Sequence, residues 1–265
     1  KEHNPDIVGV QECSADAFKK LRTLLGHDLY PHGPWDANAI SKYPISKVYD
    51  KKGVHGYGVQ VDVDGTPIRF FNSHLTAYPY GPYMLRDGQT VSSTLSQVNN
   101  LQGRDIGRII QTLLNNPKHD NHLPTIFVGD HNIPSHLDFT EASENNALLD
   151  SARNCKVQAI KWPVSHALQQ SGYVDAYRQV YPDTLKNHGI TWSPGYPKGR
   201  VEENEVHDRI DYIYLKSASD YTLDAIHSYT VETAPRDLPY PSDHRAVVAR
   251  VVLRRANALQ QPFIY

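Results

Sequence analysis

Short runs of apolar, mostly β-branched residues recur along the chain, bounded by glycine, proline, asparagine or charged residues. Residues Asp6–Val10, Gly58–Val63, Ile68–Phe71, Thr125–Val128, Ile210–Leu215 and Ala246–Leu253 each predict a strand. Between them the period changes. Ser14–Leu25 opens on a serine start signal, carries Ala17, Phe18, Leu21, Leu24 and Leu25 on one face and meets Gly26 as a stop, so an amphipathic helix is expected. Gln97–Leu114 repeats the pattern through Leu101, Ile106, Ile109, Ile110, Leu113 and Leu114 before Asn115-Asn116-Pro117. Some strands alternate and others are continuously apolar, which predicts layered sheets covered by helices, an α/β or α+β class. Two stretches rich in Tyr, Pro and Gly, Thr76–Thr90 and Ser193–Glu205, read as long loops of the kind that carry function. No internal repeat or low-complexity tract interrupts the chain.

Composition narrows the classes. With 265 residues and 39% apolar content, residues 1–265 are expected to form a single domain with a sizeable core. A formal net charge of −2 gives no global basic field, which disfavours a protein that coats nucleic acid without excluding a nuclease with a local patch. No run of 18 apolar residues is present, so neither a membrane span nor a secretory leader is expected. Seventeen tyrosines against one methionine suit a secreted or extracytoplasmic protein, though this does not fix localisation. Cys13 and Cys155 lack metal-type spacing and are left open as free or paired.

Chemistry enters through placement. Glu12 follows the strand ending at Val10; His74 follows Phe70-Phe71-Asn72; Asp130 and Asn132 follow Ile126–Gly129; Asp211 lies in the strand after Arg209; Asp243 and His244 precede the last strand. Carboxylates and histidines repeated at strand ends can converge on one rim of a sheet. Taken singly, each is an ordinary turn former, helix cap or satisfied histidine, and Asp211 could simply pair with Arg209. Jointly they supply what attack on a phosphate ester needs: oxygen ligands for a divalent cation, donors for non-bridging oxygens and a carboxylate to position water. There is no Gly-x-Ser-x-Gly elbow or cysteine signature, so direct attack by water is favoured over a covalent intermediate.

The segments Asn4-Pro-Asp-Ile-Val-Gly-Val-Gln-Glu12, Asn72-Ser-His-Leu75, Gly129-Asp-His-Asn132, Asp208-Arg-Ile-Asp-Tyr-Ile213 and Ser242-Asp-His244 resemble, in order, the signatures of the endonuclease/exonuclease/phosphatase (DNase I-like) superfamily. Its members include pancreatic-type deoxyribonucleases, abasic-site endonucleases, inositol polyphosphate 5-phosphatases and neutral sphingomyelinases. The resemblance spans residues 4 to about 253 and implies a four-layer sandwich of two packed mixed β-sheets flanked by helices. It also implies roles. Glu12 and Asp243 resemble carboxylates on the side of one or two Mg²⁺ or Mn²⁺ ions; Asp130 resembles the residue that orients the attacking water; Asn132 resembles a phosphate-oxygen donor. His244 looks like the catalytic histidine, with Asp211 on its other nitrogen, and His74 matches a second histidine that contacts the phosphate or leaving group.

Two features depart from the pattern. Family members carry a strand with a metal-proximal Asn upstream of the Asn4-Pro-Asp segment, and the sequence begins at Lys1, so loss of that strand from the sequence is expected. His131 stands where Phe or Leu is common and is a candidate site histidine. Tyr78, Tyr80 and Arg86, in the loop just past His74, and Trp192 are the further substrate-binding candidates, with Trp35 and Trp162 weighed as pocket or core residues. Arg104, Arg108, Lys198, Arg200 and Arg245 form no dense basic cluster. The expectation is a Mg²⁺- or Mn²⁺-dependent phosphoesterase acting on a small phosphomonoester or phosphodiester. A metal-dependent nuclease is the alternative, so nucleic acid is an open but less favoured partner. A noncatalytic binding module of the same fold comes third, and no protein partner is indicated.

Overall fold

A computed structural model describes residues 3–26, 28–29, 37–192, 203–231 and 242–256. Its centre is a six-stranded mixed sheet built from β4 (Ile45–Tyr49), β5 (Gly56–Val63), β6 (Thr66–His74), β7 (Thr125–Asp130), β8 (Val174–Asp175) and β9 (Asp211–Lys216). The order is β4-β5-β6-β7-β9-β8, with β6 and β7 parallel and the other pairings antiparallel.

The two faces of this sheet are set by side-chain alternation. Phe71, Phe127, Tyr212 and Tyr214 point to one face and pack with Val98, Ile106, Ile109, Leu113, Leu114, Trp162 and Leu168 of the helical layer. That layer comprises the helical stretch from α3 (Val91–Val98) through α4 (Arg104–Ile109) to Ile110–Leu114, and α6 (Pro163–Gln170). Ile68, Phe70, Ile126, Val128, Ile213 and Leu215 point the other way. They meet a second β layer made of two sheets, β1 (Ile7–Val10) with β3 (Asn38–Ser41) and β2 (Asp28–Leu29), and β10 (Tyr221–Thr230) with β11 (Val247–Arg255). Gly9 lets the layers approach, since a Cβ there would lie 2.4 Å from Val128 Cγ2.

The strands and helices read from the periodicity are all present, with shifted ends. Helix α1 (Ala15–Leu25) starts at Ser14, whose hydroxyl accepts from Ala17 N, and stops at left-handed Gly26. The second helix begins at Val91 rather than Gln97, because Thr90 caps Ser93 N. It runs to Leu114 with π-helical turns at Asn99–Gly103 and Ile110–Leu114. Strands β2, β3, β4, β8 and β10 and helices α5 (Ala147–Arg153), α6 and α7 (Ala176–Val180) were not expected from the pattern. Two differences concern connections and layers. The expected loop Thr76–Thr90 contains α2 (Gly81–Arg86), which Pro82 helps to start. Most of the other expected loop lies outside the described residues. The second β layer is two separate sheets among the described residues, not one. Cys13 and Cys155 are both free thiols. No described helix is long and apolar enough to cross a membrane.

Candidate active site

Register delivers the chemical groups. On β6, β7 and β9 the last inward-facing positions are paired across the ladder: His74 lies opposite Asp130, and Asp130 opposite Asp211. Each belongs to the alternation that buries Phe70, Val128 and Ile213, so the three form a row at the end of the seam between the layers. Gly129 is what lets β7 reach this row, because a Cβ on it would sit 2.2 Å from the Ser73 carbonyl oxygen.

His244 joins the row from the opposite β layer. Its Nδ1 is 2.8 Å from Asp211 Oδ2, and its Nε2 is 3.9 Å from Asp130 Oδ2. His74 Nε2 approaches the same Asp130 oxygen at 3.7 Å and Glu12 Oε1 at 3.5 Å. One carboxylate oxygen thus faces two imidazole nitrogens, and Asp211 pairs with His244 while Arg209 turns away to Asp138 and Asp175.

The segment carrying His244 is held by a splint at Thr191-Trp192. Thr191 N and Trp192 N donate to Asp208 O, Asp208 N returns a bond to Trp192 O at 2.6 Å, and Arg245 N donates to Thr191 O. The Thr191 hydroxyl accepts from Ile210 N and Asp211 N. Trp192 lays its ring 4.9 Å from the His244 ring, which brings this candidate into the site.

Glu12 has a left-handed backbone (φ 52°), a conformation that a non-glycine residue keeps only where its surroundings impose it. Those surroundings begin at Gln11, whose Nε2 donates to Asn72 Oδ1 at 2.5 Å, while Asn72 Nδ2 donates to Val10 O and Asn38 O. Asn72 therefore ties the end of β1 to β6 and aims Glu12 at His74. Asn132 also sits in the left-handed region (φ 51°), which asparagine tolerates. Its backbone N–H donates to Asp130 Oδ1 and its Nδ2 to Leu75 O, so one of its two amide protons is already used.

Charge follows from this packing. Burial, then the neighbouring Asp211, pushes Asp130 up to about 7, against the pull of His244, His74 and the Asn132 N–H. Burial disfavours the His244 imidazolium, but Asp211, Asp130 and Asp243 outweigh it and raise the group to about 9. Near neutral pH the site therefore holds an imidazolium against Asp211 beside a carboxylate poised to exchange a proton. Ligand atoms of Asp130, Asp211 and His244 lie within 4.8 Å of one another, a group that could hold a cation. Glu12 and Asp243 are exposed carboxylates, and carboxylate oxygens are the donor type that Mg²⁺ or Mn²⁺ prefers.

The remaining candidates divide. His131 is not at the rim: one residue past Asp130 the alternation returns it to the helical face. There it is fully buried, stacked with Tyr214 at 5.8 Å and flanked by Phe127 and Tyr212. Neither ring nitrogen has a hydrogen-bond partner, and burial lowers the group to about 3. Tyr80 is buried, not facing substrate, and its hydroxyl donates to Asp208 Oδ2 at 2.8 Å. Arg86 is engaged with Asp87 and Asn204 O and lies over the Tyr83 ring. Tyr78 is the exposed aromatic of this segment. Trp162 is core, and Trp35, Lys198 and Arg200 lie outside the described residues.

Sequence reading missed Asp208 and Glu205. Asp208, fully buried, accepts from Arg153 Nη1 and Tyr80; Glu205 Oε1 accepts from Tyr83 OH, Trp192 Nε1 and Val206 N. Asp208 was visible only as the first letter of the Asp208–Ile213 motif, and Glu205 in no motif at all.

Comparison with known proteins places the fold. An uncharacterized protein of Caenorhabditis elegans is 29% identical over 278 residues, covering 93% of this chain and 81% of its own. D. rerio TDP2, solved with a single-strand DNA product, superposes with a TM-score of 0.58 at 15% identity, covering 95% of this chain and 87% of that one. The Bacteroides thetaiotaomicron mannosyl-6-phosphatase gives a TM-score of 0.51 at 16% identity, covering 95% and 86%. An endonuclease/exonuclease/phosphatase from Bacteroides vulgatus gives 0.58 at 14%, covering 96% and 87%. These structures share the DNase I-like fold. The family model of the Endonuclease/Exonuclease/phosphatase family matches residues 1–244, and the chain belongs to that family.

Proposed function

We propose that this chain hydrolyses a phosphate ester by direct attack of water, with a divalent cation present. The observation that carries the reading is the row His74–Asp130–Asp211 completed by His244, with two imidazole nitrogens within 3.9 Å of one Asp130 oxygen. A phosphoryl group seated above that oxygen would meet His244 as a charged donor to a non-bridging oxygen and His74 on the phosphate or leaving-group side. Asp130 orients the water and accepts its proton, a task suited to a carboxyl raised to about 7. Asp211 fixes the His244 tautomer through Nδ1, leaving Nε2 facing the substrate. The second amide proton of Asn132 is available to a phosphate oxygen.

Glu12 and Asp243 are the residues that would hold Mg²⁺ or Mn²⁺. When bound, such an ion neutralises charge building on the phosphate oxygens.

A small organic phosphate, monoester or diester, is the favoured substrate class, because the net charge of −2 offers no field to gather a long polyanion. A nuclease is the second reading, supported by the TDP2 structure with its single-strand DNA product; the mannosyl-6-phosphatase supports the first. The deciding measurement is hydrolysis of bis-p-nitrophenyl phosphate, sugar phosphates, nucleotides and oligonucleotides by purified protein with Mg²⁺ or Mn²⁺. Asp130→Asn and His244→Asn should each lower turnover by on the order of 10². No hydrolysis across the set, or wild-type rates in both variants, would remove the proposed reaction.

A further inference from the structure

Glu205 lies outside every motif, yet its Oε1 collects three donors from three parts of the chain. Tyr83 OH reaches it from α2 at 2.5 Å, Trp192 Nε1 from the splint at 3.3 Å, and Val206 N locally at 2.9 Å. A carboxylate that accepts several bonds holds its donors more firmly than a neutral acceptor would. The Trp192 indole also contacts His244, at 4.9 Å between ring centroids and 55° between planes. Nδ1 of His244 is already held by Asp211, so the freedom left to the ring is rotation about its own side-chain torsions, which swings Nε2. The indole packed beside it at a tilt opposes that rotation. On the far side, α2 is fastened to the same segment twice, by Tyr80 on Asp208 and by Tyr83 on Glu205, with Arg86 4.4 Å over the Tyr83 ring.

We propose that Glu205 is a positioning residue for His244: by fixing the Trp192 indole it sets the imidazole plane, and through Tyr83 it couples that plane to α2. The inference rests on the phosphoesterase reading for its consequence in turnover, but not for its consequence in geometry. Misplacing a reacting group by about 1 Å costs on the order of 10² in rate, so loosening one ring rotation should cost about tenfold. The loss should fall on kcat, because Glu205 does not touch the substrate.

The test uses the whole chain at one fixed pH. In heteronuclear NMR, Glu205→Ala should move the Trp192 indole N–H resonance, speed its exchange with solvent and shift the His244 ring signals, assigned through His244→Asn. Glu205→Gln, which keeps an acceptor oxygen, should leave both sets of signals near their wild-type positions. With bis-p-nitrophenyl phosphate, Glu205→Ala should lower kcat about tenfold at unchanged KM, and Glu205→Gln should recover most of it. In a Trp192→Phe background, which has no indole N–H, Glu205→Ala should cost nothing further. His244 signals that stay in place while the indole moves, or additive losses in the double variant, would overturn the proposal. If the wild-type protein turns nothing over, the phosphoesterase reading fails and the NMR arm still decides the positioning role.

Discussion

His131→Phe should stabilise the protein, and by an amount that grows as the pH falls. The native imidazole sits in an aromatic box of Phe127, Tyr212 and Tyr214 with both nitrogens unpartnered and no exposure. Each buried unsatisfied polar atom costs about 1–3 kcal/mol, and fitting the slightly larger phenyl ring costs about 1 kcal/mol of strain, so relieving both nitrogens leaves a net gain of about 1–5 kcal/mol at pH 8. Linkage adds the rest. Burial lowers the folded pKa to about 3 from the ordinary 6.5, so below 6.5 the unfolded chain binds a proton that the folded chain refuses. Stability contributed by this group is therefore complete above pH 6.5 and is lost as the pH falls toward 3. At about 1.4 kcal/mol per unit, two units of acidification from pH 6.5 to pH 4.5 remove about 3 kcal/mol from the wild type through this group, a loss the variant lacks. Urea unfolding of both proteins between pH 8 and pH 4.5 gives the difference directly, since the other titrating groups are common to both and cancel. A stability difference that stays flat across that range, or a variant less stable at pH 8, would refute the placement of His131 in the core.

Turnover of the wild type should rise as Asp130 ionises about 7 and fall as His244 loses its proton about 9. Asp211→Asn removes the largest of the charges that together outweigh burial at His244, so the falling limb of the pH–rate profile should move to lower pH; an unmoved limb would break that assignment. Glu12→Gln should raise the Mg²⁺ concentration for half-maximal activity by at least about tenfold, read from metal titrations, and an unchanged requirement would remove Glu12 from the cation. Gly129→Ala should cost about 3 kcal/mol in urea unfolding, because the new methyl meets the Ser73 backbone carbonyl; a near-neutral result would mean that β6 and β7 can separate at the site.

Period and turn chemistry made much of the fold legible. Ser14 and Gly26 bracket α1 as their residue types predict, and the apolar runs of β5, β6, β7, β9 and β11 were read as strands. The misses have local causes. Val91-Ser-Ser-Thr carries weak helix formers, so the start of α3 at Thr90 was hidden behind the stronger period that follows. Strand β10 intersperses Asp224 and His227 among its apolar positions and bends at a bulge near Ala225, which blurs the alternation. Helix α2 is six residues long, and its Gly81, Pro82 and Tyr83, following Tyr78-Pro79-Tyr80, look like a loop when read alone.

The site was legible to a different depth for each residue, and side-chain parity explains why. His74, Asp130 and Asp211 occupy the inward phase of strands whose other inward positions are apolar, so burying the core obliges them to meet in one row. His131 and Tyr80 carry equally suitable chemistry in sequence, but they are turned into the core, where His131 is stacked among rings and Tyr80 is bound to Asp208. For His131 no pattern of residue types separates the cases, and only its phase relative to β7 does, whereas Tyr80 is placed by the start of α2. Glu205 goes one step further, because its neighbours Tyr83 and Trp192 are contributed by segments with no common period. The groups proposed for chemistry on β6, β7 and β9 are fixed by the backbone ladder and can be found from sequence phase. The groups that hold them in place are fixed by side-chain contacts between irregular segments, and they become visible only once the chain is folded.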